Sequence, residues 1–349
     1  FAARRREITE SISRIHELAD SKPFPFMTRD EKISESCRKL SVLSEHWNQL
    51  IDTNNEEEAL HLYREVLGLE GHAFSLHETM FIPSLVTQAN DEQQEKWLGR
   101  AKRREIIGCY AQTEMGHETA LKWWPGALGK SSNWAIVVAD LVIKDTHYGA
   151  HPFMVQIRDE TTHEPLPGIT VGDIGPKMAF NGADNGLLGF NQYKILRNHM
   201  LMRHSRVETD GSYAKPPHAK IGYSSMVKVR SRMAMDQGLF MVSALVIAVR
   251  YSAVRRQGFL EDKSHEVKVL DYQTQQHRLF PSIARAYAFI FCGFETIQLQ
   301  TLFIQVLGRR DGHVYPNLFE WAKASPLNQT HVLPSVNQYL KPMMEKAKL

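Results

Sequence analysis

Apolar residues open the chain at helical spacing, with Ile8, Ile12, Ile15 and Leu18 forming one stripe. Thr28 followed by Glu31, just after Pro23 and Pro25, is a capping-box pattern and predicts a helix running through Leu43. Residues 56–69 predict a third helix, ended by Gly71, and Asn90 with Gln93 caps a fourth that runs through Trp97. From Gly108 to about Arg230 the period shortens. Residues 135–143 are an apolar, β-branched run, and Phe153, Val155 and Ile157 alternate as in a half-buried strand. Turn residues crowd 165–175 and 181–189, which predicts antiparallel strands rather than strand–helix–strand units. Helix returns at about Val227: one long helix ends near Arg255, and another opens at Asp271 and includes residues 286–289.

The pattern therefore predicts an α+β protein. It divides into an N-terminal helical domain (1–105), a central antiparallel β domain (106–226), the first helices of a C-terminal bundle (227–300) and a final segment (301–349). The longest apolar stretch, residues 238–249, is too short to span a bilayer and runs into Arg250 and Arg255, so it reads as a buried core helix and no membrane span is expected. At 43% hydrophobic and 23% charged the chain lies in the soluble globular range, and its net charge of +3 is too small to suggest nucleic-acid binding. Cys37, Cys109 and Cys292 are scattered without metal-ligand spacing and read as idle thiols of a reducing compartment. The chain opens on Phe1 without a secretory pattern, from which a missing natural N-terminus is expected.

One segment is unusual enough to carry more. Tyr110-Ala111-Gln112-Thr113-Glu114-Met115-Gly116-His117 is followed closely by Lys122-Trp123-Trp124-Pro125-Gly126-Ala127-Leu128-Gly129-Lys130. Together they resemble the signature of peroxisomal acyl-CoA oxidases. Further similar phrases are His77-Glu78-Thr79-Met80-Phe81-Ile82-Pro83, the stretch from Pro165 to Lys177, Arg250 to Gln257, and Asp271 to Gln276. The resemblance implies an acyl-CoA dehydrogenase-like fold, FAD as cofactor, acyl-CoA as substrate, molecular oxygen as acceptor, and a homodimer. The ending Ala347-Lys348-Leu349 is a conservative variant of the C-terminal peroxisomal address, implying a peroxisomal import receptor as partner and the peroxisome as location.

Relative to the family, the chain is shortened. A small gap falls between Leu121 and Lys122. After about Gly293 the match jumps to Gly308-Arg309-Arg310-Asp311-Gly312, which resembles the extreme C-terminus of these enzymes, so most of the bundle is missing. The implied reaction removes an α proton and transfers a β hydride to flavin, giving a trans-2-enoyl-CoA and hydrogen peroxide.

By resemblance Thr113 donates to the reactive edge of the isoalloxazine ring, and Gly126 lets backbone approach the cofactor closely. Trp123 and Trp124 read as core aromatics flanking the flavin. Gln112 and Glu114 flank the threonine, with Glu114 ordering the loop, and His117 reads as a hydrogen-bonded structural histidine. Arg255 matches an arginine that reaches the flavin pyrophosphate of a neighbouring subunit in the wider superfamily; a solvated charge at a helix C-terminus is the alternative. Gln273 is a further cofactor candidate.

No catalytic residue is assigned. The family's glutamate phrase has its nearest counterpart in Phe294-Glu295-Thr296, where the glycine is missing and a helix-surface glutamate is the expected reading. Three alternatives stay open: an inactive isoform that binds FAD and acyl-CoA or regulates a full-length subunit, a product of mis-splicing, and an acyl-CoA dehydrogenase.

Overall fold

The structure, a computed structural model, describes residues 2–52, 55–68, 71–114, 121–216, 221–222, 224–259 and 264–308. His117 and the terminal tripeptide lie outside them. The chain divides into two compact units, Phe1–Met226 and Val227–Leu349.

In the first unit, helices α1 (Ala2–Ser13), α2 (Arg29–Leu50) and α3 (Glu56–Leu67) enclose a core that includes Ile8, Leu43 and Leu62. The capping box forms as the sequence predicts: the Thr28 hydroxyl accepts from the Glu31 N–H at 3.3 Å, and the Glu31 carboxylate accepts from the Thr28 N–H at 2.6 Å. α2 runs a further two turns past Leu43. α1 stops at Ser13, and the remainder of the stripe, Ile15 and Leu18, is carried by a 3₁₀ turn at His16–Leu18. Residues three apart eclipse in that geometry, so both stay on one side. α3 ends at Gly68, whose φ of +80° suits a left-handed stop, three residues before the expected Gly71.

A π-helical turn at His77–Phe81, not foreseen from the pattern, leads into α4 (Ile82–Gln88) and α5 (Asp91–Lys102). Asn90 and Gln93 cap α5 reciprocally. The Gln93 amide also donates to the Asn198 and Met200 carbonyls at 2.8 and 2.6 Å, so the cap fastens the helix to the loop after the second sheet.

Eight strands follow among the described residues: β1 (Gly108–Ala111), β2 (Lys122–Trp123), β3 (Trp134–Ile143), β4 (Thr146–Gln156), β5 (Ile169–Asp173), β6 (Gly186–Phe190), β7 (Arg206–Val207) and β8 (Tyr213–Ala214). They form sheets ordered β1-β3-β4 and β2-β6-β5 and a β7-β8 pair. All pairings are antiparallel except β1 with β3, which is parallel. That exception departs from the expected antiparallel domain. Among its described residues the crossover contains no helix: it adds β2 to the other sheet before β3. β3 and β4 join at Lys144 and Asp145, both with positive φ, as a tight hairpin requires.

The second unit is built on α6 (Ser224–Val254) and α7 (Gln273–Gly308). They approach closely where glycines face the other helix: a Cβ on Gly238 would lie 2.7 Å from Ile290, and one on Gly293 would lie 2.5 Å from the Met235 backbone nitrogen. The apolar run 238–249 is helical, but the expectation of a buried core helix fails. Ile247 is 71% exposed, and Val246, Tyr251 and Val254 are exposed as well. Burial of this stripe needs more neighbours than α7 supplies among the described residues. By length and composition alone Ser225–Val254 is long and apolar enough to cross a membrane, a test that core helices of bundles also pass. α7 continues unbroken through Gly293 and Phe294, where the family resemblance jumps.

Candidate functional site

β1 delivers Gln112, Thr113 and Glu114 at its C-terminal end. Ala111 is buried, while Thr113 and Glu114 are exposed. The Thr113 carbonyl accepts from the Trp123 N–H at 3.0 Å, and Glu114 forms an antiparallel bridge with Lys122. These contacts place Thr113 beside the turn that begins at Trp124, so two separately predicted segments meet. Glu114 is ion-paired with the buried Lys122, whose ammonium also donates to the Val138 carbonyl at 2.7 Å. This matches the reading of Glu114 as a residue that orders the loop. The side-chain carbonyl of Gln112 is buried and has no hydrogen-bond partner among the described residues.

The turn from Trp124 to Ser131 has an unusual backbone. Trp124 has φ +97° and Ala127 φ +62°. Such conformations cost about 1–3 kcal/mol each for residues other than glycine and persist only where surroundings over-determine them. Here residues 183–186 supply the surroundings. The Trp124 N–H donates to the Gly186 carbonyl at 3.1 Å, and Gly186 N–H to Pro125 at 3.0 Å. Ala127 and Gly129 donate to Ala183 and Asp184 at 3.0 and 3.1 Å, and the Asn185 amide reaches the Trp124 carbonyl. From the other side the buried Arg158 guanidinium donates to the carbonyls of Ser132, Leu128 and Gly129.

One expectation changes in this geometry. Trp124 is 52% exposed, not a core aromatic, because its left-handed backbone turns the ring outward. Gly126 is buried, and a Cβ there would meet the Ala183 carbonyl at 3.0 Å and Leu76 at 3.4 Å. The missing side chain thus lets the turn close on the protein itself, and any approach to a ligand is through backbone.

Arg255 belongs to the second unit. It follows the last residue of α6, with its side chain exposed, its N–H donating to Tyr251 at 2.8 Å and its carbonyl accepting from Val269 at 2.9 Å. Gln273 opens α7 and is exposed. Glu295 sits mid-way along α7 with an exposed side chain, as expected of a helix-surface glutamate.

Sequence reasoning did not single out Asp184, Arg158 or Lys122. Asp184 stood in a run read only as turn residues, and Arg158 gave no local signal, because its partners lie 26 to 30 residues away. Cys109, beside them, is fully buried, and burial pushes its thiol up to about 12, so it stays protonated. A separate cavity of about 580 Å³ in the first unit is lined by His147, Tyr148, His151, Tyr213 and Lys215 among others, and none of the three predicted cofactor residues borders it.

Comparison with known proteins bears on what this arrangement serves. Residues 1–107 match the acyl-coenzyme A oxidase N-terminal family and residues 223–343 the acyl-CoA oxidase C-alpha1 domain. The acyl-coenzyme A oxidase acox-1.3 of Caenorhabditis elegans is 72% identical over 326 residues, covering 86% of this chain and 49% of the relative. The chain belongs to the acyl-CoA oxidase family. This oxidase-family chain is also 41% identical to peroxisomal acyl-coenzyme A oxidase 1 of Bos taurus, over 83% of its own length and 48% of that protein. Among solved structures it resembles acyl-CoA oxidase-2 of Caenorhabditis elegans, bound with FAD, ascaroside-CoA and ATP. The TM-score is 0.87 at 61% identity, with 93% of this chain and 53% of that one covered. The Arabidopsis thaliana acyl-CoA oxidase 1 gives a TM-score of 0.80 at 37% identity, covering 90% and 52%. The acyl-CoA dehydrogenase-like architecture is thereby shared. The chain spans about half the length of the curated relatives it matches.

Proposed function

We propose that this chain holds FAD at the end of β1 and along the Trp124 turn, as part of a peroxisomal acyl-CoA oxidase. The reaction is oxidation of acyl-CoA to trans-2-enoyl-CoA with formation of hydrogen peroxide. One observation carries the reading: the Thr113–Trp123 backbone bond joins two segments while leaving the Thr113 side chain and the Trp124 ring open to solvent. A buried, unpartnered carbonyl on Gln112 beside them fits a ligand that brings a donor. When bound, FAD supplies the acceptor for the β hydride and passes electrons to oxygen. The chain's own part is to orient it: the Thr113 hydroxyl donates to its edge, the Gln112 carbonyl accepts, and Trp124 covers one side. Arg255, exposed and with no side-chain partner among the described residues, is assigned to the pyrophosphate of FAD on a second copy, which makes the working form a homodimer. Peroxisomal location rests on the naming of relatives such as the bovine protein.

The same reading assigns slow turnover to this chain. Glu295 is exposed on α7, and a positioned general base is worth ~10²–10⁴ in rate. Thr113→Val should raise the Kd for FAD about fivefold, the loss of one neutral hydrogen bond. An unchanged Kd removes Thr113 from the site. Anaerobic palmitoyl-CoA added to the FAD-loaded chain should leave the flavin bands standing over minutes, whereas rapid bleaching would show that a base is in place.

A further inference from the structure

Asp184 has the least exposed carboxylate in the first unit, with 0% of its surface accessible. Its backbone is left-handed, φ +49°. One carboxylate oxygen accepts three hydrogen bonds from the turn: Lys130 N–H at 2.9 Å, Ser131 N–H at 2.8 Å and the Ser131 hydroxyl at 2.6 Å. The other oxygen has no hydrogen-bond partner among the described residues and lies 2.6 Å from where a Gly129 Cβ would be. A carboxylate seated this deeply needs a countercharge. The Arg158 guanidinium lies nearby without forming a direct ion pair with it among the described residues, and its nitrogens hold the carbonyls of Leu128, Gly129 and Ser132. The two charges therefore grip the same turn, one by its N–H groups and one by its carbonyls.

We propose that Asp184 is a positioning residue that fixes the Trp124–Ser131 turn in its strained shape and so preforms the cofactor-facing surface. The proposal rests on the assignment of that turn to FAD. Asp184 touches neither FAD nor substrate; it acts through Lys130, Ser131 and Gly129. Two features argue for a role beyond stability. The two charges grip residues 128–132, which directly follow the left-handed Trp124 and Ala127, and the ring that the strain turns outward belongs to the candidate surface. A structural carboxylate needs no such placement.

The test compares Asp184→Asn with Leu43→Ala, a core change among the N-terminal helices that lowers stability without touching the turn. Two readouts are taken on the full chain: the Kd for FAD from quenching of flavin fluorescence, and amide exchange at Ala127, Gly129, Lys130 and Ser131. Asp184→Asn keeps an acceptor oxygen but removes the charge, and is expected to raise the FAD Kd about tenfold and to speed exchange at these amides about as much, because the charge assistance to a triple contact is lost. Leu43→Ala should leave both near wild type at a temperature where it is folded. Should Asp184→Asn not fold, Ser131→Ala removes only the hydroxyl contact and should shift both readouts about threefold in the same direction. Equal effects of the Asp184 and Leu43 variants, or no effect of either turn variant, would overturn the proposal. If the wild-type chain takes up no FAD, the site assignment fails while amide exchange still decides whether Asp184 holds the turn.

Discussion

His77 illustrates how much a residue's role depends on distant partners. Its Nδ1 accepts from the Gly108 N–H at 2.9 Å, so the proton sits on Nε2, which donates to the Ala101 carbonyl at 3.0 Å. The imidazole is fully buried, and burial pushes its pKa below the usual value. His72 is pushed by burial to about 4. Both groups are neutral when folded and titrate near 6.5 when unfolded, so their contribution is complete above about pH 6.5. It is lost as pH falls from there through the depressed folded values, about 4 for His72. Urea midpoints should therefore fall between pH 6.5 and 4, and His72→Asn should flatten that fall. Glu35, held down to about 2 first by its hydrogen bonds to Arg38, loses its contribution in a lower window, below about 4.5, so the two effects separate on the pH axis. None of this was legible in the chain. His77 attracted notice only within a family-like phrase, because its partners stand 24 and 31 residues away.

Among the elements, what the sequence made legible was local. Thr28–Glu31 and Asn90–Gln93 set helix starts through contacts three residues apart, and both formed as expected. An apolar, β-branched run located β3, and alternation located β4. The parallel pairing of β1 with β3, the π turn at 77–81 and the clamp of 183–186 on the Trp124 turn depend on contacts between distant segments, which no short-range pattern encodes. Helix packing in the second unit belongs to the same class. Gly293 faces the backbone of Met235, which cannot give way as a flexible side chain would. Gly293→Ala should therefore force α6 and α7 apart and cost about 1–3 kcal/mol, read as a lower urea midpoint for the loss of helical signal. An unchanged midpoint would mean that the helices do not meet at this glycine.

At the scale of the whole molecule, the chain joins a well-packed first unit to a second one with much apolar surface. Ile247, Val254, Tyr287 and Phe291 are each more than half exposed along α6 and α7. Of the predicted cofactor residues, Thr113 and Gly126 lie in the first unit and Arg255 in the second. Family membership was legible because the signature segments are contiguous in sequence. The packing around each residue was not, as Gly126 shows: nothing in the motif says that a Cβ there would meet the Ala183 carbonyl. The account stands on the first unit's ability to hold a flavin. Mixing the purified chain with excess FAD, removing free nucleotide by gel filtration and recording the visible spectrum tests it most directly. The account predicts flavin bands at about one FAD per chain. A folded chain that elutes colourless would contradict it.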